Sequence, residues 1–224
     1  MSEIKLLQGD CLDLMKDIPD GSVDLVLTDP PYGISFQSQR KKNKADWKPK
    51  ILNDEKPFTG FIPELKRIVS KNGAVMIFTR WDVQQDFIDC MTKNAMKPKN
   101  VLIWDKVIHG MGDLKRAYGS RYESVIYWAN RDFRFNGKRP TDILRYQRVS
   151  ANKLLHPNEK PIDLLSCMIK QTTSDKATVL DCFMGSGTTG IACKNLNRSF
   201  IGMELDEDYF KVAKERIENH EVEG

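Results

Sequence analysis

Short apolar runs alternate with amphipathic segments along most of the chain. The apolar runs are rich in β-branched residues, as buried strands are, and turn-forming residues bound several of them. The amphipathic segments carry apolar residues at helical spacing. This pattern predicts strands over 23–28, 74–79, 100–104, 124–129, 177–181 and 199–204, and helices over 61–69, 83–91, 162–171, 188–196 and 206–219.

Strands that alternate with helices indicate an α/β fold, with a largely parallel sheet and helices on both faces. The chain has 224 residues, the size of one domain, so we expect a single domain over 1–224. Ligands of such sheets bind beyond the carboxyl ends of the strands. Two segments, 29–32 and 183–188, follow predicted strands directly and are therefore candidates for a binding site.

A glycine-rich turn with the sequence Asp-Cys-Phe-Met-Gly-Ser-Gly-Thr-Thr covers residues 181–189. Gly185 and Gly187 let the backbone approach a ligand closely, and the helix that follows favours an anion at its N-terminus. The turn lacks the Gly-Lys-Ser/Thr ending of a phosphate-binding loop. Glu204 ends the next strand, where an acidic residue can hold both ribose hydroxyls. Together these features favour a nucleoside-type cofactor over a packing turn beside a surface glutamate.

The tetrapeptide Asp29-Pro30-Pro31-Tyr32 ends the first strong strand. Its two prolines fix the backbone and remove two N–H donors, which leaves neighbouring carbonyls free to accept hydrogen bonds. Asp29 and the Pro30 carbonyl can accept the two protons of an amino group, while Tyr32 can stack on a flat ring. A base such as adenine or cytosine suits this arrangement. The alternative is a strand-terminating loop with a buried tyrosine.

Taken together, these segments resemble the amino-group DNA methyltransferases, which modify N6 of adenine or N4 of cytosine. The catalytic segment precedes the cofactor turn, as in the β subgroup of that family, and the resemblance covers most of the chain outside about 35–60 and 130–152. The segments that carry it are 9–15, 19–25, 29–32, 156–161, 183–189 and 202–204, with weaker matches at 104–106 and 122–125.

The resemblance implies a Rossmann-like methyltransferase fold that uses S-adenosylmethionine. Catalysis falls to Asp29, Pro30, Pro31 and Tyr32. The backbone from Phe183 to Thr188, with Lys160, is expected around the methionine part, Glu204 at the ribose and Asp10 near the cofactor's adenine. The full set of implied cofactor-binding residues is Asp10, Cys11, Asp29, Lys160, Asp181, Phe183, Gly185, Ser186, Gly187, Thr188 and Glu204.

The expected reaction is methylation of adenine N6 in double-stranded DNA, by direct attack from a target base that is flipped out of the duplex. An aspartate at position 29 favours adenine, because most cytosine-N4 members begin this tetrapeptide with serine. Three alternatives stay open: cytosine-N4 methylation, methylation of RNA, and a non-catalytic nucleic-acid-binding module that keeps the fold. The last has no chemical need for an intact Asp29 or Tyr32.

Two basic segments are candidate DNA contacts in a chain whose net charge is +4. The first is a basic loop over about 35–60, directly after the catalytic tetrapeptide. The second, over about 130–152, occupies the place of a short target-recognition insertion. A solvated surface is the alternative for both. The expected DNA-binding residues are Arg40, Lys41, Lys42, Lys44, Arg134, Arg139, Arg145 and Arg148.

Cysteine and histidine usage adds limits. The five cysteines include no CxxC pair, which argues against a disulfide framework, and the three histidines have no ligand spacing, so no metal is expected. No apolar run of membrane-spanning length is present, and the first residues do not resemble a signal peptide, which indicates a cytoplasmic protein without a membrane partner. A homodimer and a cognate restriction nuclease both remain open.

Overall fold

A mixed eight-stranded sheet forms the centre of the molecule in the computed structural model, which describes residues 2–33, 56–110, 114–150 and 159–222. The strand order is β1-β8-β7-β2-β3-β5-β4-β6. Among the described residues, seven strands run in one direction and β5 runs in the other. The strands are β1 (Ile4–Gln8), β2 (Val23–Thr28), β3 (Val69–Thr79), β4 (Asn100–Asp105), β5 (Tyr122–Ala129), β6 (Ile143–Arg145), β7 (Thr178–Asp181) and β8 (Ser199–Glu204).

Helices cover both faces of the sheet, so the predicted α/β fold with a mostly parallel sheet is confirmed. One core joins the sheet to α4, α5 and α6, and the other joins it to α2 and α3. The helices are α1 (Cys11–Leu14), α2 (Ile62–Ile68), α3 (Gln84–Lys93), α4 (Ile162–Thr172), α5 (Thr188–Asn195) and α6 (Glu207–Glu218). None of the helices in the described ranges has the length and apolar character needed to cross a membrane.

Strand β3 shows why this sheet is buried on both faces. Successive side chains of a strand point to opposite faces. Met76 and Phe78 accordingly join the core under α4 and α5, while Val75 and Ile77 join the core under α2 and α3. All four are almost fully buried, which explains why the segment appears in the sequence as one continuous apolar run.

The segment over 130–152 packs more closely on the sheet than the sequence suggested. Phe133 and Leu144 are buried in the core beside α4, and strand β6 pairs with β4. The Asn136 side chain donates to the carbonyl of Lys170 over 3.1 Å. The described part of this segment is therefore integrated into the fold, with its arginines on the outside.

Candidate active site

The catalytic tetrapeptide and the glycine-rich turn meet at the carboxyl end of the sheet. Strands β2 and β7 are parallel neighbours, with Val26 opposite Leu180, so the loops that follow them leave the sheet side by side. Tyr32 and Gly185 line the same cleft, which has a volume of about 1200 Å³ including its open mouth. The two predicted site segments therefore share one cleft at the carboxyl end of the sheet.

A buried hydrogen-bond cluster joins the two loops. The Thr28 hydroxyl donates to Asp181 Oδ1 over 2.8 Å and accepts from the Cys182 backbone N–H at 3.2 Å. Thr189 at the start of α5 donates to Asp181 Oδ2 over 2.6 Å. Burial raises the pKa of Asp181 to about 6, although these donors oppose the shift. Asp181 was expected to bind cofactor; it lines the cleft, and its carboxylate also holds the floor of the cleft together.

The glycine-rich turn has the backbone that its sequence requires. Gly185 and Gly187 have φ angles of 52° and 79°, in the left-handed region where other residues are strained. The Gly185 N–H donates to Glu204 Oε2 over 2.8 Å, and the Asp206 N–H donates to Oε1 over 2.9 Å. Burial raises the pKa of Glu204 against these two donors. The carboxylate is thus fixed at the end of β8, at the wall of the cleft.

Arg216 on α6 supports the same turn and was not expected from the sequence. Its guanidinium donates to the Ser186 hydroxyl over 3.1 Å and to the Thr188 hydroxyl over 3.0 Å. It also pairs with the buried Glu159 at 2.8 Å. The guanidinium therefore ties the turn to the residue that precedes Lys160. Ser186 and Thr188 were expected to face cofactor, and the structure gives their hydroxyls this second partner.

Asp29 stands at the centre of the catalytic half. Lys160 Nζ lies 2.6 Å from Asp29 Oδ2, and the Tyr32 hydroxyl donates to Oδ1. Burial raises the pKa of Asp29, with the Lys160 charge working against it. Among the described residues no group donates to the Pro30 carbonyl, whereas the Pro31 carbonyl accepts from the Phe58 N–H at 3.1 Å. Asp29 and the Pro30 carbonyl are thus acceptors beside the cleft.

Two residues of this half differ from expectation in their surroundings. Lys160, expected near the methionine part of the cofactor, has its ammonium group on Asp29 and within 3.0 Å of Glu123 Oε2. The ring of Tyr32, expected as an open stacking platform, is only 5% exposed. Both residues line the cleft. Stacking on a base requires the Tyr32 side chain to open first.

The opposite wall of the cleft contains the remaining expected cofactor residues. Asp10 caps α1, and its side chain accepts from the Leu12 N–H at 2.9 Å. Burial raises the pKa of the Cys11 thiol to about 12, so this cysteine stays protonated. Phe183 packs edge to face against Phe61, with ring centroids 5.1 Å apart. This wall combines an apolar surface with one acidic group, as a nucleobase requires.

The expected DNA-binding residues are not gathered in one place. Arg40, Lys41, Lys42 and Lys44 lie outside the described residues. Arg145 ends strand β6 opposite Asp105, at the catalytic edge of the sheet, and Arg148 follows shortly after. Arg134 and Arg139 follow the end of β5, which runs the other way, so they lie near the opposite edge. All four arginines in the second group are exposed.

Comparison with known proteins identifies the family of this chain. The model of the N6/N4 DNA methylase family matches residues 23–215. The type II methyltransferase M.BglII of Bacillus subtilis is 27% identical, over 93% of this chain and 67% of that protein. The DNA adenine methyltransferase YhdJ of Escherichia coli K12 is also 27% identical, over 95% and 82%. The crystal structure of the M1.HpyAVI–SAM complex superposes with a TM-score of 0.74 and 29% identity, over 95% of this chain and 99% of that chain.

The fold and the cleft define an S-adenosylmethionine-dependent methyltransferase. The family match covers most of the chain, so the chain belongs to the N6/N4 DNA methylases, enzymes that methylate an amino group of a base in DNA. The sequence predicts S-adenosylmethionine as the cofactor, and the family match together with the SAM-bound related structure confirms this prediction. The residues present fit this cofactor, since a glycine-rich turn with left-handed backbone and a fixed glutamate line the same cleft.

Proposed function

We propose that this enzyme methylates N6 of adenine in double-stranded DNA, on a base flipped into the cleft. The observation that carries the proposal is the position of Asp29 and Pro30. Their oxygens lie at the carboxyl end of β2, beside the glycine-rich turn that follows β7. An amino group of a bound base that donates one proton to Asp29 and the other to the Pro30 carbonyl is therefore held next to the cofactor site.

The chemistry follows from those two acceptors. An exocyclic amine is a weak nucleophile because its lone pair is delocalised into the ring. Two fixed acceptors favour a pyramidal nitrogen, on which the lone pair is localised, and they stabilise the positive charge that develops there. S-adenosylmethionine, when bound, supplies the methyl group in electrophilic form. Asp29 would accept the amino proton that is released when the new N–C bond forms and the bond from the methyl group to the cofactor's sulfur breaks, which would leave that sulfur as a neutral thioether.

Adenine rather than cytosine is favoured by two observations. The tetrapeptide begins with Asp29, whereas most cytosine-N4 members have serine there. The relative YhdJ, similar over 95% of this chain, is a DNA adenine methyltransferase. The family itself includes N4 enzymes, so cytosine is the second candidate. Mass spectrometry of nucleosides from methylated DNA distinguishes the two products.

The cofactor proposal follows the residues of the cleft. We assign the ribose to Glu204 and the adenine end to Asp10 and Cys11, beside Phe183. We assign the methionine end to the turn, in which Gly185, Ser186 and Thr188 line the cleft beside Asp181. Gly187, also expected at the cofactor, is not among the lining residues and packs against α6. Lys160 serves Asp29 directly, because its ammonium group is on that carboxylate.

DNA is proposed to lie on the catalytic edge of the sheet. Arg145 and Arg148 reach this edge, while contact with Arg134 and Arg139 needs DNA that also reaches the far edge. We also propose DNA contacts from Arg40, Lys41, Lys42 and Lys44 of the basic segment, which lie outside the described residues. A Cβ atom on Gly33 would lie 2.5 Å from the Lys56 backbone, so the two ends of that segment meet beside Tyr32.

The decisive experiment removes the acceptor. Asp29→Asn keeps the shape of the side chain and loses its charge, and Asp29→Ala removes the acceptor altogether. We expect both variants to lose methyl transfer to duplex DNA by a factor of about 100 or more, while calorimetry still detects S-adenosylmethionine binding. Glu207→Gln on the exposed face of α6 is the matched control. Full transfer by Asp29→Ala would refute the assigned role.

A further inference from the structure

A continuous ion-pair chain runs from the back of the site to Asp29. Lys106 Nζ lies 2.5 Å from Glu123 Oε1, and Glu123 Oε2 lies 3.0 Å from Lys160 Nζ. Lys160 Nζ in turn lies 2.6 Å from Asp29 Oδ2. We propose that Lys106 and Glu123 are positioning residues, which hold the Lys160 ammonium group on Asp29 and so set the charge and direction of the catalytic carboxylate. This inference rests on the proposed function of Asp29.

The four residues come from four separate parts of the fold. Lys106 follows β4, Glu123 is on β5, Lys160 precedes α4 and Asp29 follows β2. Their side chains are between 8% and 19% exposed, and Lys160 is the most buried. Folding therefore removes four charges largely from water, which has a high cost unless the charges are paired. Charged side chains on the surface would not need to be paired in this way.

Aromatic rings fix the two ammonium groups in place. Lys160 Nζ lies 4.9 Å from the centre of the Phe78 ring and 5.9 Å from that of Trp104. Lys106 Nζ lies 5.3 Å from the same Trp104 ring on its own side. The rings exclude water and leave each ammonium group few directions in which to donate. Lys160 donates to Asp29 Oδ2 over 2.6 Å, and Glu123 Oε2 at 3.0 Å is its ion-pair partner.

Glu123 has no other role in the described part of the structure. Apart from the Lys160 ammonium group, no described donor reaches its Oε2, which is buried. Neither Glu123 nor Lys106 lines the cleft among the described residues, so contact with the target base falls to Asp29. Burial alone would raise the pKa of Glu123, yet Lys160 and Lys106 hold it below its usual value. Glu123 is therefore a permanent negative charge behind Lys160.

The ion-pair chain predicts that the two charge removals shift the pKa of Asp29 in opposite directions. Removing the Glu123 charge leaves Lys160 to Asp29 alone, which lowers the pKa of Asp29. Removing the Lys106 charge leaves Glu123 uncompensated, which raises it. The other titratable or charged groups that bear on Asp29 are Tyr32 in its own loop and Asp181 at the end of β7, and the charge of Arg80 after β3 acts on Tyr32.

The test measures the Asp29 carboxyl carbon by NMR across a pH titration, with Asp29→Asn to assign the signal. In Glu123→Gln the midpoint should move down by on the order of one pH unit, and in Lys106→Gln it should move up. The double variant should return towards the wild type. Glu207→Gln and Lys211→Gln, which remove the two charges of an exposed pair on α6, should leave the midpoint unchanged. This measurement needs no methyl transfer, so its outcome is independent of the proposed reaction.

Kinetics provides the second readout. Single-turnover methyl transfer at saturating cofactor should fall about tenfold or more in Glu123→Gln, with unchanged affinity for S-adenosylmethionine. Equal Asp29 midpoints in the wild type and both single variants would overturn the proposal, as would shifts of the same sign. If Glu123→Gln does not fold, Lys106→Gln tests the opposite shift by itself. If the NMR shifts appear as expected but the wild-type enzyme transfers no methyl group to DNA, the proposed function is refuted. The positioning role of Lys106 and Glu123 then still stands.

Discussion

Replacing Thr28 by valine tests whether the catalytic strand and the cofactor turn are held together by one hydroxyl. The Thr28 hydroxyl donates to Asp181 and accepts from the Cys182 N–H, and the side chain is 1% exposed. Valine has nearly the same shape but neither hydrogen bond. The change therefore leaves a buried carboxylate oxygen without one of its donors and a buried N–H without its acceptor.

Each of those losses has a known magnitude. A hydrogen bond to a charged group contributes about 1.5–3 kcal/mol, and an unsatisfied buried N–H costs about 1–3 kcal/mol. The added methyl group offsets about 0.8 kcal/mol. We expect Thr28→Val to lower the free energy of unfolding by about 2–4 kcal/mol in urea, with an unchanged denaturant slope. Its affinity for S-adenosylmethionine should also fall, because the floor of the cleft loosens.

Thr28→Ser is the matched control, since it keeps the hydroxyl and removes only a methyl group. We expect it to lose about 1 kcal/mol and to keep cofactor affinity. If the valine variant proved as stable as the serine variant and bound cofactor equally well, the hydroxyl would not link the two loops. The reasoning about the floor of the cleft would then be wrong.

Two further predictions concern the cofactor half. A Cβ at Gly190 would lie 2.5 Å from Ile217 Cδ1 and 2.9 Å from Phe200 Cε1, so Gly190→Ala should lower the free energy of unfolding by about 1–3 kcal/mol, and adding Ile217→Val should restore part of it in thermal unfolding. Because the pKa of Asp181 is about 6 in the folded protein, above its unfolded value, the folded state gains a proton first as the pH falls. The unfolding free energy of the wild type relative to Asp181→Asn should therefore rise by on the order of 2–3 kcal/mol between pH 7 and 4, and an unchanged difference in urea titrations would contradict this.

Local sequence predicts the central, buried strands well and the outermost strands of the sheet poorly. Strand β2 and the second half of β3 are buried on both faces, so their side chains form continuous apolar runs. Strands β1 and β6 lie at the two sides of the sheet, and exposed residues interrupt the apolar run in both. The antiparallel direction of β5 depends on its pairing with β3 and β4, which periodicity does not reveal.

The site residues also fall into a part that local sequence predicts and a part that it does not. The tetrapeptide and the glycine-rich turn are local motifs, and their chemistry is visible in adjacent residues. The partners of those motifs come from distant parts of the chain: Lys160 pairs with Asp29 across 131 residues, and Arg216 reaches Ser186 across 30. In the sequence Arg216 resembles an ordinary solvated charge, and the family resemblance predicts Lys160 at the cofactor rather than on Asp29. The weak match at 122–125 was the only signal in the sequence for Glu123.

The buried state of Tyr32 has a consequence for the order of events at this site. Its hydroxyl donates to Asp29, the carboxylate to which we assign the target amine, and its side chain is buried. On the proposed function, a base that stacks on Tyr32 and donates to Asp29 must first break this hydrogen bond, at a cost of about 1.5–3 kcal/mol. The incoming amine replaces the lost donor, and the ring gains a stacking partner. On this proposal, entry of a base with an amino group offsets the free energy lost when Tyr32 opens. A base without an amino group leaves Asp29 short of a donor. Discrimination between bases therefore begins before methyl transfer.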